Sequence, residues 1–193
     1  MKKLILIIIF IPLVSFTQTS YGDDLPFSEI GDYPNEFSQS NIVSRMIEGL
    51  GYRYYWATKS LNDNDLNYKP SDDSRTTFEV IKHIHELTIM ISSSFENKTV
   101  DFPSEQYDYK SLREKTLLNL KYIHEELKSS PDFSKLSISF QRGDSTMSFP
   151  FWNQINGPIS DALWHCGQVV MNRRASGNPL QKGVNVFIGK TSN

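Results

Sequence analysis

Residues 76–95 have the sequence TTFEVIKHIHELTIMISSSF, the clearest helical pattern in the chain. Its apolar residues recur at intervals of three and four, at Val80, Ile84, Leu87 and Ile91. This spacing places them on one face of an α-helix. Ser74 or Thr76 can cap the start of the helix, because Glu79 stands in the first turn where a capping carboxylate belongs. A helix with one apolar face has to bury it, so this stretch predicts packing against other helices.

Three further helical patterns surround this one. About residues 36–61 carry a stripe at the same spacing, formed by Ile42, Met46, Leu50, Tyr54 and Ala57. About residues 110–129 carry another, formed by Leu117, Leu120, Ile123 and Leu127. A last helix is predicted to begin at Pro158, since proline suits the first helical turn, and to run to about Ala175, with Gly177 as its C-terminal cap.

The hydrophobic period changes from 3.6 to 2 before the last helix. Residues 136–140 and 147–149 alternate apolar and polar side chains, and residues 141–145 between them carry turn chemistry around Gly143. This pattern predicts a small β-hairpin. Four amphipathic helices with one stripe each have to associate, so the chain predicts an all-α four-helix bundle over residues 36–180 with a hairpin before the last helix.

Composition excludes several classes of function. The chain has 193 residues, which suits one domain, and 20 basic against 22 acidic residues give a formal net charge of −2. Nucleic acid is therefore not an expected partner, because no excess of positive charge is present. Cys166 is the only cysteine, which excludes an internal disulfide and sites built from several cysteines.

The first 20 residues predict a secretory signal peptide. A basic start at residues 1–3 precedes an apolar run over residues 4–14 and a small, polar segment. The apolar run is shorter than the roughly 20 residues of a membrane span. We therefore expect cleavage, an exported protein that is periplasmic or secreted, and no stable membrane insertion afterwards. Residues 21–35 form an extended lead-in, and residues 181–193 form a C-terminal tail.

Two helices carry candidate metal ligands. Asp161 and His165 are four residues apart on the last helix, so both side chains project from one face. His83 lies beside the apolar stripe of the second long helix and is directed toward the bundle interior. Two imidazoles and a carboxylate suit a divalent metal and leave a coordination position open. The alternative is an ordinary hydrogen-bonded pair of Asp161 and His165.

The other reactive side chains have simpler explanations. His85 and His124 are expected to be packed or surface histidines, and Cys166 lies on an apolar stripe as a small core residue. Gln168 and Asn172 follow His165 by one or two turns and are candidates for the lining of a pocket, although both also suit surface or capping positions. Tyr54 is a candidate apolar wall or a core residue. No general base is assigned by spacing.

The chain resembles the DinB-like (DinB/YfiT) metalloprotein superfamily over residues 36–180. The resemblance is carried by DLNYKP (65–70), TFEVIKHI (77–84), DALWHCGQVV (161–170) and RRASGNP (173–179). It implies a histidine near the start of the second helix and an H-x-x-x-H pair on the fourth, which together bind a divalent metal, usually zinc or nickel. His83 matches the first, and His165 matches the last by its Gly167-Gln168 tail. Asp161 stands where the family has histidine.

Three functional hypotheses follow. Characterised relatives include transferases and isomerases that use the cytosolic thiols bacillithiol or mycothiol, which an exported protein would rarely meet. The first hypothesis is therefore a metal-dependent hydrolase or group transferase acting on an unidentified small molecule. The second is a bundle that binds metal or a small ligand without catalysis, with His85 or Glu86 as a fourth ligand. The third is a metal-free scaffold. A homodimer through an exposed helix face is compatible with each.

Overall fold

The computed structural model describes residues 24–192, so the predicted signal peptide lies outside the described residues. The fold is mostly helical with a small antiparallel hairpin. The helices are α1 Gln39–Thr58, α2 Asp63–Asn67, α3 Thr77–Phe95, α4 Tyr109–Lys128, α5 Trp152–Gln154 and α6 Ser160–Ala175. The strands are β1 Ser137–Arg142, β2 Ser145–Pro150, β3 Val184–Asn185 and β4 Lys190–Thr191. In this part of the chain, none of the helices has the length and apolar character needed to cross a membrane.

The long helices α1, α3, α4 and α6 pack around a common core. Helix α4 packs against α1 and α3, and α6 also packs against α1 and α3. The predicted stripes of α3 and α4 are buried, which confirms them residue by residue: Val80, Ile84, Leu87, Ile91, Leu117, Leu120, Ile123 and Leu127. This packing fixes α3 beside α6, the two helices that carry the candidate ligands.

The start of α3 has the predicted cap. The Thr76 hydroxyl accepts a hydrogen bond from the Glu79 amide at 3.2 Å, and the Glu79 carboxylate accepts one from the Thr76 amide at 2.7 Å. This reciprocal arrangement satisfies two amides that a helix start leaves without partners. Ser38 and Asp108 cap α1 and α4 in a similar way with their side chains. Local chemistry therefore sets where the long helices begin.

Helix α1 differs from its prediction. It spans Gln39–Thr58 and not residues 36–61, and Ile42, predicted on the buried stripe, is 50% exposed. Val43 and Ile47 are buried in its place, while Leu50, Tyr54 and Ala57 are buried as predicted. The single-stripe prediction was wrong here because α1 is covered by α4, by α6 and by the segments at both ends of the described chain. Its buried surface is therefore wider than one stripe.

The prediction that the last helix begins at Pro158 is confirmed by the backbone dihedral angles. Gly157, with φ −93° and ψ −109°, is non-helical and separates the short helix α5 and the residues after it from the last helix. From Pro158 the backbone is helical and continues into α6 at Ser160. Proline suits this first turn because the amide hydrogen that it lacks has no helical partner there. At the other end, Gly177 with φ +95° confirms the predicted cap.

The predicted hairpin is confirmed. Strands β1 and β2 pair antiparallel, with Ser137 opposite Pro150 and Arg142 opposite Ser145. The turn contains Gly143, which has φ +55° and leaves the two strands closely connected. Ile138 of β1 is buried, and β1 also contacts α3. The hairpin therefore rests on the helical core at the end of α3 away from His83.

The connection between α1 and α3 contains a short helix that sequence analysis missed. In α2, Asn62 and Asp65 form a capping box. The Asp65 carboxylate also accepts hydrogen bonds from the Ser176 hydroxyl and from the Asn178 side-chain amide, the latter at 2.7 Å. Asp65 is completely buried. This cluster joins the loop before α3 to the end of α6.

The lead-in and the tail are held together on α1. The Ile30 amide donates a hydrogen bond to the Gly189 carbonyl at 2.8 Å, and Ile30 is buried in the core. The Phe27 ring packs closely over Gly51 of α1. The two segments are therefore part of the packed structure, although sequence analysis separated both from the helical core.

Candidate metal centre

Helices α3 and α6 bring the three candidate ligands together. The distance from His83 Nε2 to Asp161 Oδ2 is 3.3 Å, and the distance from His165 Nε2 to Asp161 Oδ1 is 3.4 Å. The potential donor atoms of the three residues all lie within 4.8 Å of one another. The spacing of four residues on α6 places Asp161 and His165 on one face, and the packing of α3 against α6 adds His83.

These distances are compatible with a shared metal ion and with hydrogen bonds. Ligands bound tetrahedrally at about 2.0–2.1 Å from zinc lie about 3.3–3.4 Å from one another. The contact of 3.3 Å between His83 Nε2 and Asp161 Oδ2 also has the geometry of a hydrogen bond, although a charge-assisted bond between imidazolium and carboxylate is usually shorter, at roughly 2.7–2.9 Å. Asp161 offers a different oxygen to each imidazole. The three side chains therefore form a group that could hold a metal ion.

Each imidazole has an oxygen near its Nδ1. His165 Nδ1 lies 2.8 Å from Gln168 Oε1, an amide oxygen that accepts a hydrogen bond when Nδ1 carries the proton; in that tautomer Nε2 keeps its lone pair. His83 Nδ1 lies 3.6 Å from Glu86 Oε2, which is longer than a hydrogen bond. Histidines that bind metals commonly donate their second nitrogen to an oxygen, as His165 can to Gln168, which fixes ring orientation and increases ligand basicity. Gln168, predicted to line a pocket, also positions His165.

The group is sheltered on one side and open on the other. The side chain of His165 is 12% exposed and that of His83 is 25% exposed, whereas that of Asp161 is 41% exposed. Among residues 24–192, no fourth histidine, cysteine or acidic residue joins the group. A metal held here would retain coordination positions for solvent or a ligand, as catalytic sites do.

The two residues considered as a fourth ligand lie elsewhere. His85 is buried on the side of α4, where its Nδ1 lies 3.2 Å from the Thr116 hydroxyl. Burial, with the nearby Lys115 charge, lowers the pKa of His85 to about 4, so the ring is neutral at pH 7. Glu86 lies behind His83 rather than between the ligands. Neither residue completes the coordination.

A cleft of about 800 Å³ adjoins His165. It lies between α6 and the loop before α3, and its lining residues are Pro70, Ser74, Arg75, Val80, Trp164, His165, Gly167, Gln168, Met171 and Asn172. Gln168 and Asn172 therefore lie where sequence analysis expected them. Tyr54 does not line the cleft: it is completely buried in the core, and burial raises the pKa of its hydroxyl. The apolar side chains that line the cleft are those of Pro70, Val80, Trp164 and Met171 instead.

The remaining reactive side chains are packed. Cys166 is buried, and burial raises the pKa of its thiol to about 12, so it is an inert core thiol as predicted. His124 lies 2.9 Å through Nδ1 from the Ser44 hydroxyl, and burial lowers its pKa. Both residues are therefore confirmed as packed side chains outside the candidate centre.

Sequence analysis missed several residues around the centre. Glu86 was considered only as a ligand, although its position three residues after His83 on a helix indicates that it can support the ring. Trp164 and Met171 share the face of Gln168 at helical spacing, which was a usable signal. Arg75 belongs to a loop whose position depends on tertiary packing, so no local pattern indicated its place beside the cleft.

Comparison with known proteins identifies no relative of this chain. The chain matches no protein-family model, no curated protein and no solved structure. The relation to the DinB-like superfamily therefore stays a proposal based on the sequence segments quoted above. The function has to be inferred from the geometry of the site.

Proposed function

We propose that this protein is an exported, DinB-like four-helix bundle that binds a divalent metal ion, zinc or nickel, and catalyses hydrolysis or group transfer on a small molecule. His83, Asp161 and His165 are the ligands. The observation that carries the proposal is their arrangement: each imidazole directs Nε2 toward Asp161 at a distance typical of ligands that share one ion. The group is also open toward solvent.

The fold supports the DinB-like part of the proposal. The four long helices surround one core, and the hairpin precedes the last of them. The ligands come from α3 and α6, the second and fourth long helices, as the resemblance implies. Metal sites in helical bundles are commonly built from facing helices in this way. Asp161 in place of histidine keeps an acceptable ligand and adds a negative charge, which favours a dication.

The chain's own residues supply positioning and access. Gln168 holds the His165 imidazole by a hydrogen bond, which limits its reorganisation when a ligand binds, and the Glu86 carboxylate lies 3.6 Å from the His83 imidazole. The exposed side of Asp161 gives solvent access to the centre, and the adjoining cleft, which His165 lines but Asp161 and His83 do not, has room for a small molecule. A bound divalent metal would supply a Lewis acid or an activated water. Imidazole and carboxylate together suit zinc and nickel.

Elemental analysis tests metal binding. Protein purified without chelator or histidine tag should contain near-stoichiometric zinc or nickel, and His83→Ala and His165→Ala should contain none. His124→Ala is the matched control, because His124 lies on α4 outside the group, and it should retain the metal. Absence of bound metal after incubation with zinc, nickel, manganese and iron would overturn the proposal. Retention of metal in His165→Ala would contradict the assigned ligands.

Cobalt substitution tests the catalytic part. A centre with three protein ligands should change its visible absorption when azide or a small thiol binds the cobalt ion. A closed sequestering site with a fourth protein ligand should show no such change. A silent spectrum would refute the enzyme while leaving metal binding intact. A responsive spectrum would justify a screen of ester, amide and epoxide substrates.

A further inference from the structure

The cleft beside His165 has the size of a small-molecule site. Its volume of about 800 Å³ falls in the usual range for ligand pockets, roughly 300–1,000 Å³. Val80 is buried at its base, and Asn172 is held there by a hydrogen bond of 3.2 Å from its side-chain amide to the Thr77 hydroxyl. The base of the cleft is therefore rigid, and one side reaches a proposed metal ligand.

One wall of the cleft is apolar and exposed. Trp164 is 73% exposed and Met171 is 61% exposed, although large apolar side chains usually gain by burial. They lie seven residues apart on α6, so both stand on the same face of the helix. Pro70 faces them from the loop before α3. Such a surface suits a flat apolar group, which can stack on the indole and contact the thioether.

Gly167 leaves space between these two side chains. A glycine inside a helix costs roughly 1 kcal/mol relative to alanine. Apart from its chain neighbours and the backbone of its own helix, a Cβ at residue 167 would meet no atom within 4 Å, so packing does not require glycine there. Because Gly167 lines the cleft, the missing side chain widens it where a ligand would lie between Trp164 and Met171.

The cleft has a cation at its rim. Arg75 is exposed there, and no acidic residue is among the lining residues. Between residues 24 and 192, no hydrogen bond and no ion pair within 4.0 Å engages the Arg75 guanidinium. Its charge, after the hydrogen bonds from Thr76, helps to lower the pKa of the nearby Glu79 carboxyl, whose hydrogen bonds go to Thr76 at the start of α3. A guanidinium whose hydrogen-bond donors are not engaged offers paired donors that match a carboxylate.

We infer that this cleft binds a small aromatic carboxylate, with the carboxylate on Arg75 and the ring along Trp164 and Met171. The inference rests on the proposed function, since it assigns a ligand class to the cleft that shares His165 with the proposed centre. It combines three features: a guanidinium whose hydrogen-bond donors are not engaged, an exposed apolar wall and a helix glycine without a packing role. Together they specify an anion with a flat apolar body rather than a sugar or a polycation.

Titration of the zinc-loaded protein tests the inference. The probes are benzoate, 3-phenylpropionate and 1-naphthoate, each compared with its neutral amide by calorimetry. At least one carboxylate should bind about tenfold or more tightly than its amide, corresponding to about 1.4 kcal/mol. Arg75→Gln should remove this preference, and Gly167→Leu should weaken carboxylate and amide alike. Arg174→Gln, which changes an exposed arginine near the end of α6 outside the cleft, should leave binding unchanged.

The outcomes of this titration distinguish the proposal for the cleft from the proposal for the metal centre. Equal binding of carboxylate and amide, or no loss of preference in Arg75→Gln, would overturn the inference even if zinc is bound. If the native chain binds no zinc but still prefers the carboxylates, the ligand proposed for the cleft is supported and the proposed function is refuted. Thermal unfolding of Gly167→Leu provides the folding control. Its Cβ has open space, so a native-like transition is expected.

Discussion

The hydrogen bond behind His165 determines which imidazole nitrogen faces the centre. We predict that Gln168→Leu lowers zinc affinity about 10- to 100-fold, the usual effect of losing a partner that orients a ligand. The ring would lose the acceptor for its Nδ1 proton and with it the preference for presenting Nε2. Competition with a chromophoric chelator measures the affinity. Gln181→Leu, at an exposed position of the tail, is the control, and equal affinities in both variants would contradict the assigned role.

The buried Asp65 carboxylate predicts an acid-sensitive step in stability. Burial raises its pKa, but hydrogen bonds from Asn178, Asn62 and Ser176, together with the Arg173 charge, hold the pKa below its ordinary value. A carboxyl with a lower pKa in the folded state stabilises the protein above its unfolded pKa of about 4, and this contribution is lost as pH falls through the folded pKa.

Asp65→Asn should therefore reduce the pH dependence of unfolding below about pH 4. At pH 7 it should lower the free energy of unfolding by about 1–3 kcal/mol, because buried hydrogen-bond donors lose a charged acceptor. Urea unfolding over a pH series measures both effects. Asp72→Asn is the control, since the Asp72 side chain is fully exposed, and it should change neither quantity. A parallel pH profile for Asp65→Asn and the native chain would disprove this account.

Part of the site could be predicted from residues alone. The spacing of Asp161 and His165 and the position of His83 beside an apolar stripe are local patterns, and they placed the three side chains correctly. The partners of Asp65 and the position of Arg75 depend on a loop that folds against the end of α6. No hydrophobic period or residue spacing in the sequence indicates that contact.

At the scale of the single helix, alanine substitutions at two glycines should have opposite effects on the stability of the protein. Gly167→Ala should stabilise the protein by about 0.5–1 kcal/mol, because alanine favours the helix and the new Cβ meets open space. For a chain of this size the melting temperature should rise by about 1–4 °C. Differential scanning calorimetry measures the change. A lower melting temperature would show a packing role for Gly167 that the structure does not contain.

Gly51→Ala should destabilise the protein. A Cβ at residue 51 would overlap the Phe27 ring, so the ring has to move off α1. We expect a loss of about 1–3 kcal/mol, as for other overpacked sites. The double variant with Phe27→Ala provides the control, because the clash is absent once the ring is gone. Additive losses in the double variant would exclude the clash as the cause.

Helix boundaries show where local chemistry is sufficient. The cap formed by Thr76 and Glu79 was predictable because all its partners lie within one turn. The start of the last helix at Pro158 was predictable for the same reason, because the non-helical Gly157 precedes it and proline favours the first helical turn. The short helix α5 before Gly157 was not predicted, because no local pattern in the sequence indicated it.

At the scale of the whole molecule, metal binding should stabilise the fold. A ligand that binds only the folded state adds about 2.7 kcal/mol at 100 times its dissociation constant. Zinc at that excess should therefore raise the free energy of unfolding of the native chain by about this amount, whereas His83→Ala should show no increase. Urea unfolding with and without zinc measures it. Equal stabilisation of both proteins would place the zinc elsewhere.

The lead-in and the tail make contacts between distant parts of the chain that the sequence alone did not predict. Neither has a regular period, so sequence analysis excluded both from the helical core. Their contacts pair residues far apart in the chain, such as Ile30 with Gly189, and only the packed α1 surface brings these residues together. That same surface explains why the buried face of α1 is broader than its stripe.

His83 and Asp161 are 78 residues apart in the sequence, and α4 and the hairpin lie between them. An ion bound to both would act as a cross-link that closes a long loop, which restricts the unfolded chain as a disulfide does. Amide hydrogens of α4 and the hairpin, which lie inside the loop, would then exchange more slowly in the presence of the ion. The two helices that hold the ion would therefore also slow the opening of the segment between them.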